Sequence, residues 1–274
     1  DSHRGHRALT EKRLLQYRPF LKPYIETMGN ESPKALDLGC GRGEWLEVLG
    51  AIGFEALGVD LDQGMLEACD ERGLNVVLGE AIEFLREQGE NSFEIVSGFH
   101  FAEHIPFDTL LQVFDEAMRV LKSGGILILE TPNPENLIVG TADFYLDPTH
   151  QKPIPPALLK FLADYAGFER SIIARLQESE LIEDLDNLTL KDVLVGVSPD
   201  YSVIAQKEGA EEFMIRFDDA FAADYGLSFF DAISKYEKRA TAERKNFEAQ
   251  TNRRLDSLET ISVFIDDYRA EKLK

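Results

Sequence analysis

The chain has 274 residues, 44% of them apolar and 10% aromatic, enough to bury a sizeable core and contrary to general disorder. A total of 50 Asp and Glu against 29 Lys and Arg leaves a formal net charge of −21, a field that repels nucleic-acid phosphates and anionic lipid. Cys40 and Cys69 supply neither a disulfide scaffold nor metal-ligand spacing, the opening residues lack a signal-peptide apolar stretch, and no apolar run is long enough for a bilayer, so the cytoplasm is the expected compartment.

In chain order, Leu9 to Met28 carries apolar residues at helical spacing, with Pro19 and Pro23 expected to break or kink it. From Ala35 the pattern becomes strand, glycine turn, helix. Strands are expected at Ala35–Leu38, Ala56–Val59, Asn75–Leu78, Phe93–Ser97 and Ile126–Glu130, alternating with helices at Glu44–Leu49, Gln63–Arg72, Ala81–Glu87 and Leu110–Val120. The last of these helices should stop at Lys122-Ser123-Gly124-Gly125. Such alternation implies a parallel sheet with helices on both faces. A proline-rich irregular stretch follows, then helix Ala157–Ala166, a strand near Ser171–Leu176, an acidic solvated segment from Glu178 to Asn187, and a last strand at Tyr201–Gln206. Beyond 229 there is neither proline nor glycine, and the 10 basic and 9 acidic residues from Asp231 onward nearly balance. Apolar steps of three and four there predict a long amphipathic helix, either a self-associating coiled coil or a surface helix folded back on the domain. The division expected is a helical segment over 1–32, an α/β domain over 33–207, a linker over 208–228 and a long helix or coiled coil over 229–274.

The run Leu36-Asp37-Leu38-Gly39-Cys40-Gly41-Arg42-Gly43 puts a carboxylate ahead of a glycine turn that lets a ligand approach the backbone. A carboxylate at that position suits a cationic ligand and serves a pyrophosphate poorly. Asp60 closes the second strand, 17 residues after Gly43, where ribose hydroxyls can donate to it. Gly79-Glu80-Ala81 follows the third strand and can flank an adenine ring.

On these residues the sequence resembles class I S-adenosylmethionine-dependent methyltransferases, whose fold is a Rossmann-like, doubly wound, mostly parallel α/β sheet. Phe99-His100-Phe101-Ala102-Glu103-His104-Ile105 resembles the segment that lines the methionine end of the cofactor, and Leu121 to Gly125 the turn before strand five. The resemblance implies S-adenosyl-L-methionine as cofactor, held by Asp37, Gly39, Cys40, Gly41, Arg42, Gly43, Asp60, Leu61, Glu80, Ala81, Phe99 and His100. Arg42-Gly43-Glu44-Trp45, Asp147-Pro148-Thr149-His150 and Tyr17-Arg18-Pro19-Phe20-Leu21 are similar to methyltransferases of bacterial polysaccharide biosynthesis. These include enzymes that end O-antigen growth in lipopolysaccharide biosynthesis by methylating a terminal sugar, some with C-terminal coiled coils. That narrower likeness implies a glycan acceptor, lipid-linked in such systems, a homo-oligomer through the C-terminal helix, a polysaccharide polymerase partner and a peripheral place at the inner face of the inner membrane. Methylation of a small metabolite such as a quinone precursor, methylation of protein or nucleic acid, and a non-enzymatic scaffold are the competing readings.

For attack of a hydroxyl on a sulfonium methyl, a general base helps if it reaches hydrogen-bond distance. Of five histidines, His3 and His6 lie in the tail, while His100, His104 and His150 fall toward the ligand edge of the sheet. His150 is the first choice for base or acceptor-orienting residue, with Asp147 fixing its tautomer; a loop-stabilising role is the alternative. His104 can serve as base, hold the cofactor or shape its loop. Asp147 with His150 makes only two ligands, so no metal is expected.

Overall fold

The computed structural model describes residues 7–27, 29, 31–177, 179 and 188–272. His3, His6 and, apart from Ser179, the acidic stretch from Glu178 to Asn187 lie outside the described residues. Seven strands form one sheet: β1 Lys34–Leu38, β2 Glu55–Asp60, β3 Val76–Leu78, β4 Phe93–Phe99, β5 Leu121–Pro132, β6 Arg170–Ala174 and β7 Asp200–Gln206. Their order is β3-β2-β1-β4-β5-β7-β6; β1 to β5 pair in parallel, and β7 runs antiparallel to both β5 and β6.

Period-two alternation splits the core between the two faces. Leu36, Leu38, Leu127, Leu129, Val203 and Ala205 join one buried cluster with Phe114 and Leu159. Ala35, Ile126, Ile128 and Ile204 join the other with Trp45, Phe20, Tyr24 and Phe217. Strands covered on both sides must be apolar throughout, which makes a carboxylate inside β5 conspicuous.

The first helix, α1 Arg7–Leu14, passes through a 3₁₀ turn at Leu15–Tyr17 into α2 Arg18–Thr27. The break therefore precedes both prolines, and α2 runs through Pro23: Phe20, Leu21 and Tyr24 are buried on the sheet, and that burial offsets the backbone bond that Pro23 cannot donate. Helices α3 Glu44–Ile52, α4 Gln63–Asp70, α5 Ala81–Glu87 and α6 Phe107–Val120 follow the glycine loop and the successive strands. Leu110, Val113, Phe114, Ala117 and Val120 form the buried stripe of α6. The glycine stop expected for α6 is corrected: Leu121 is already extended, and Gly124 (φ 77) instead turns the chain within the irregular start of β5, where an added Cβ would lie 2.7 Å from the Phe213 ring.

Residues 208–228, expected as a linker, carry helices Glu211–Met214 and Asp218–Ala222 joined by a 3₁₀ turn at Ile215–Phe217. Their aromatic residues cover the sheet: Phe217 is fully buried and packs on Tyr24 and Phe213, whose ring centroids lie 5.2 Å away. Phe217→Ala is expected to destabilise the fold by about 3–5 kcal/mol, read as an earlier urea midpoint; an unchanged midpoint would detach this segment from the core.

The C-terminal helix Phe229–Lys272 is held at its base, where Ala232, Ile233 and Tyr236 pack on Leu188, Val193 and Val197, and Arg239 donates to the Leu188 carbonyl. Forty-four residues span about 65 Å, and the apolar residues of the distal part, Phe247, Leu255, Leu258, Ile261 and Phe264 among them, are exposed.

Candidate active site

The site lies at the carboxyl edge of the parallel strands. Gly39, Gly41 and Gly43 adopt φ of 67°, 53° and 76°, so the loop needs residues that tolerate the left-handed region. The amides of Gly39 and Cys40 donate to the Val59 carbonyl (2.9 and 3.1 Å), pinning the loop to β2. Asp60, at the end of β2, accepts from the Gly41 amide through Oδ2 and from the Asp62 amide through Oδ1, both at 2.8 Å. Asp37 is buried and accepts from Ser97 Oγ (2.7 Å), which accepts in turn from Trp45 Nε1 (2.9 Å). Trp45 thus packs against Tyr17 and Phe99 while walling the pocket. Arg42 pairs with Glu44 at 2.9 Å.

A cavity of about 580 Å³ opens beside this loop. Asp37, Gly39, Cys40, Trp45 and Phe99 line it together with His100, which stands beside Glu130 and Asp200; Asp143, Asp147, His150 and Gln177 line it too, as do Thr10 and Arg13 of α1. The N-terminal segment therefore both covers a sheet face and closes the pocket; Arg18, by contrast, sits in a separate groove between α2 and α3. Asp60, Leu61, Glu80 and Ala81 stand outside the cavity. Leu61 is exposed at the rim, and Glu80 caps α5 by accepting from the Glu83 amide (2.9 Å).

His100 takes φ +52°, an uncommon conformation for a side-chain-bearing residue, and its amide donates to the Glu130 carbonyl. Its Nδ1 meets Glu103 at 3.2 Å, and its Nε2 lies 3.9 Å from Glu130 and 3.8 Å from Asp200. Burial opposes the imidazolium, but Asp200, Glu103 and Glu130 outweigh it and hold the pKa up to about 9. An NMR titration of the His100 ring is expected to show a midpoint near 9, and a midpoint at or below about 6.5 would dissolve the cluster. Since the unfolded value is about 6.5, the stability that His100 contributes is complete below that pH and lost as pH rises through about 9. Glu103, fully buried, accepts from Thr131 Oγ1 (2.9 Å) as well, and His100 draws its carboxyl below the usual range despite burial.

Two further histidines complete the wall. The Phe144 carbonyl can only accept, so His150 donates from Nδ1 to it (2.6 Å) and keeps a lone pair on Nε2. The expectation that Asp147 fixes this tautomer is corrected: Asp147 Oδ1 is engaged by the Thr149 amide and hydroxyl (2.8 and 2.6 Å), a local turn that draws it away. Thr149 spends its one hydrogen on Asp147, so its oxygen accepts from His104 Nδ1 (2.9 Å), and His104 too keeps Nε2 free. Burial lowers the His104 pKa, favouring the neutral ring. The two rings lie 4.7 Å apart.

Ligating atoms of Glu103, His104 and His150 fall within 4.8 Å of one another, a grouping that 46 residues of separation concealed in the sequence. Both Glu103 oxygens already accept hydrogen bonds there. Glu130, Asp200 and Arg13 escaped sequence reading, although a lone acid in an apolar strand was the available signal for Glu130.

A glycine loop pinned under a strand-end carboxylate and opening on a cavity fits a nucleotide-type cofactor, one with ribose hydroxyls and a sulfonium. A family model described as "Methyltransferase domain" matches residues 36–129. A solved S-adenosylmethionine-dependent methyltransferase from Archaeoglobus fulgidus is 31% identical, with 75% of this chain and 96% of that one covered at a TM-score of 0.63. The chain belongs to the S-adenosylmethionine-dependent methyltransferases. Curated relatives include the ubiquinone biosynthesis O-methyltransferases of Methylococcus capsulatus, 34% identical over 36% of this chain and 44% of that one, and of Psychrobacter arcticus, 30% identical over 56% and 66%. The chain spans about half the length of the curated relatives it matches.

Proposed function

We propose that the enzyme transfers the methyl group of S-adenosylmethionine to a hydroxyl of a small molecule. The observation that carries this reading is the pair His104 and His150, each with Nδ1 tied and Nε2 free, on the cavity that also holds Asp37 and the glycine loop. The names of the relatives, O-methyltransferases of ubiquinone biosynthesis, support the same acceptor chemistry.

The cofactor supplies an electrophilic methyl group. Asp60 would receive its ribose hydroxyls, Gly41 and Gly43 would let it lie against the backbone, and Asp37 would face its ammonium. Cys40, Arg42, Phe99 and His100 would wall the methionine end, and Leu61, Glu80 and Ala81 would border the base. His150 would accept the proton of the acceptor hydroxyl, the electrons of the methyl–sulfur bond remaining with the departing thioether, and His104 and Asp147 would fix the loop around it. Excluding water and aligning the oxygen contribute the rest.

Incubation with methyl-labelled S-adenosylmethionine and a panel of catechols, quinone precursors and neutral oligosaccharides tests the reading. Label on a small ring hydroxyl is expected; label confined to sugar termini would replace it with the glycan reading. That second reading is favoured by the exposed apolar face of the C-terminal helix, which the small-molecule reading leaves without a role. It includes self-association through this helix and work beside a polysaccharide polymerase at the inner membrane face. Sedimentation velocity of the full chain is then expected to show an oligomer that Leu258→Glu with Ile261→Glu reduces to monomer.

A further inference from the structure

Beside His100 the cavity carries oxygen acceptors that the hydroxyl transfer described above does not use. The Glu130 side chain is 8% exposed; Tyr17 donates to its Oε2, and among the described residues no hydrogen bond reaches Oε1. The Asp200 side chain is 14% exposed, and none reaches its carboxylate either. Gln177 Oε1 is buried without a partner on the same lining. Glu130 and Asp200 both look toward His100 Nε2, at 3.9 and 3.8 Å, too far for a hydrogen bond, and Glu103 already engages that imidazolium through Nδ1. One cation therefore faces three carboxylates, and among the described residues of the lining Arg13, on the exposed side of α1, is the one Lys or Arg that adds a positive group.

We infer that this part of the cavity takes a hydroxyl carried by a neutral or cationic molecule and rejects carboxylated or phosphorylated ones, with Glu130 and Asp200 as the residues that read the charge. The reasoning is one of donors and acceptors. Hydroxyl and ammonium groups bring the donors that these oxygens lack, whereas a carboxylate or phosphate brings only further acceptors and a like charge into a poorly solvated space. Burial pushes the carboxyls of both Glu130 and Asp200 up, Glu130 to about 7, so the pair carries its full charge only above neutral pH, where the preference is strongest. The location of the acceptor rests on the proposed methyl transfer, but the preference is a matter of binding and can be read without turnover.

The experiment is a calorimetric titration of the full chain, saturated with S-adenosylhomocysteine, using three probes that share a catechol ring: dopamine, 4-methylcatechol and 3,4-dihydroxyphenylacetate. The anionic probe is expected to bind about tenfold or more weakly than the neutral one, and dopamine at least as tightly as the neutral one. Glu130→Gln with Asp200→Asn should bring all three within about threefold, while S-adenosylhomocysteine affinity, measured first, reports that the variant is folded. Equal affinities for neutral and anionic probes in the wild type, a ratio that the double variant leaves in place, or no binding of any probe overturns the inference. Charge-ordered binding without label transfer to any hydroxyl would leave the inference standing and sink only the proposed reaction.

Discussion

Replacing Asp60 with alanine is expected to weaken S-adenosylhomocysteine binding about a hundredfold, a change of about 2.7 kcal/mol. The carboxylate has two roles in the structure. Its oxygens accept from the Gly41 and Asp62 amides at 2.8 Å each, so it sets the turn that shapes the glycine loop and the start of α4. In the proposed site it also accepts from the ribose hydroxyls of the cofactor, and bonds to an ionised acceptor are roughly twice as strong as neutral ones. Alanine removes both, and each backbone amide left without a partner adds about 1–3 kcal/mol where water cannot replace the carboxylate. Asp60→Asn, which keeps an acceptor oxygen, should lose less. Calorimetry on the three proteins checks the order, and wild-type affinity in the alanine variant would separate the loop from cofactor binding.

His150→Gln is expected to lower turnover on the accepted hydroxyl about 10²–10⁴-fold while S-adenosylhomocysteine affinity stays within about twofold. The split follows from placement. His150 lies on the cavity lining apart from the glycine loop in the proposed site, tilted against Phe144 with ring centroids 4.5 Å apart, and its Nδ1 bond to the Phe144 carbonyl fixes which nitrogen can take a proton. Glutamine can orient a hydroxyl but cannot accept its proton. Equal losses in cofactor affinity and turnover would assign His150 to holding the loop, and preserved turnover would pass the proton to His104.

Much of the fold was legible because its signals are local. The alternating run Leu36 to Leu38, the continuous apolar run Ile126 to Leu129 and the glycines after Leu38 are local signals that need no knowledge of distant partners. The misread helix stop came from the same reasoning: Gly124 does adopt a positive φ, but inside β5, where a distant residue, Phe213, leaves no room for a side chain. Residues 208–228 looked like a linker because their aromatics follow no long period; their packing on Tyr24 is tertiary. The tautomer of His150 depends on a main-chain carbonyl, which carries no residue signature, so the nearby acid was the natural but mistaken choice. Glu130 and Asp200 are 70 residues apart, and only the antiparallel return of β7 brings them to one edge.

That return also divides the pocket by stiffness. Glu130 lies opposite Ser202 and Asp200 opposite Pro132 in the β5–β7 ladder, so the acid wall is fixed by the register of the sheet and cannot shift without slipping a whole strand. His104 and His150 lie on short turns elsewhere on the lining, each ring oriented by one hydrogen bond, to Thr149 Oγ1 and to the Phe144 carbonyl. Substitutions can therefore reshape the histidine side one residue at a time and change which ring or sugar fits, while the charge that the acid wall tolerates is inherited with the fold.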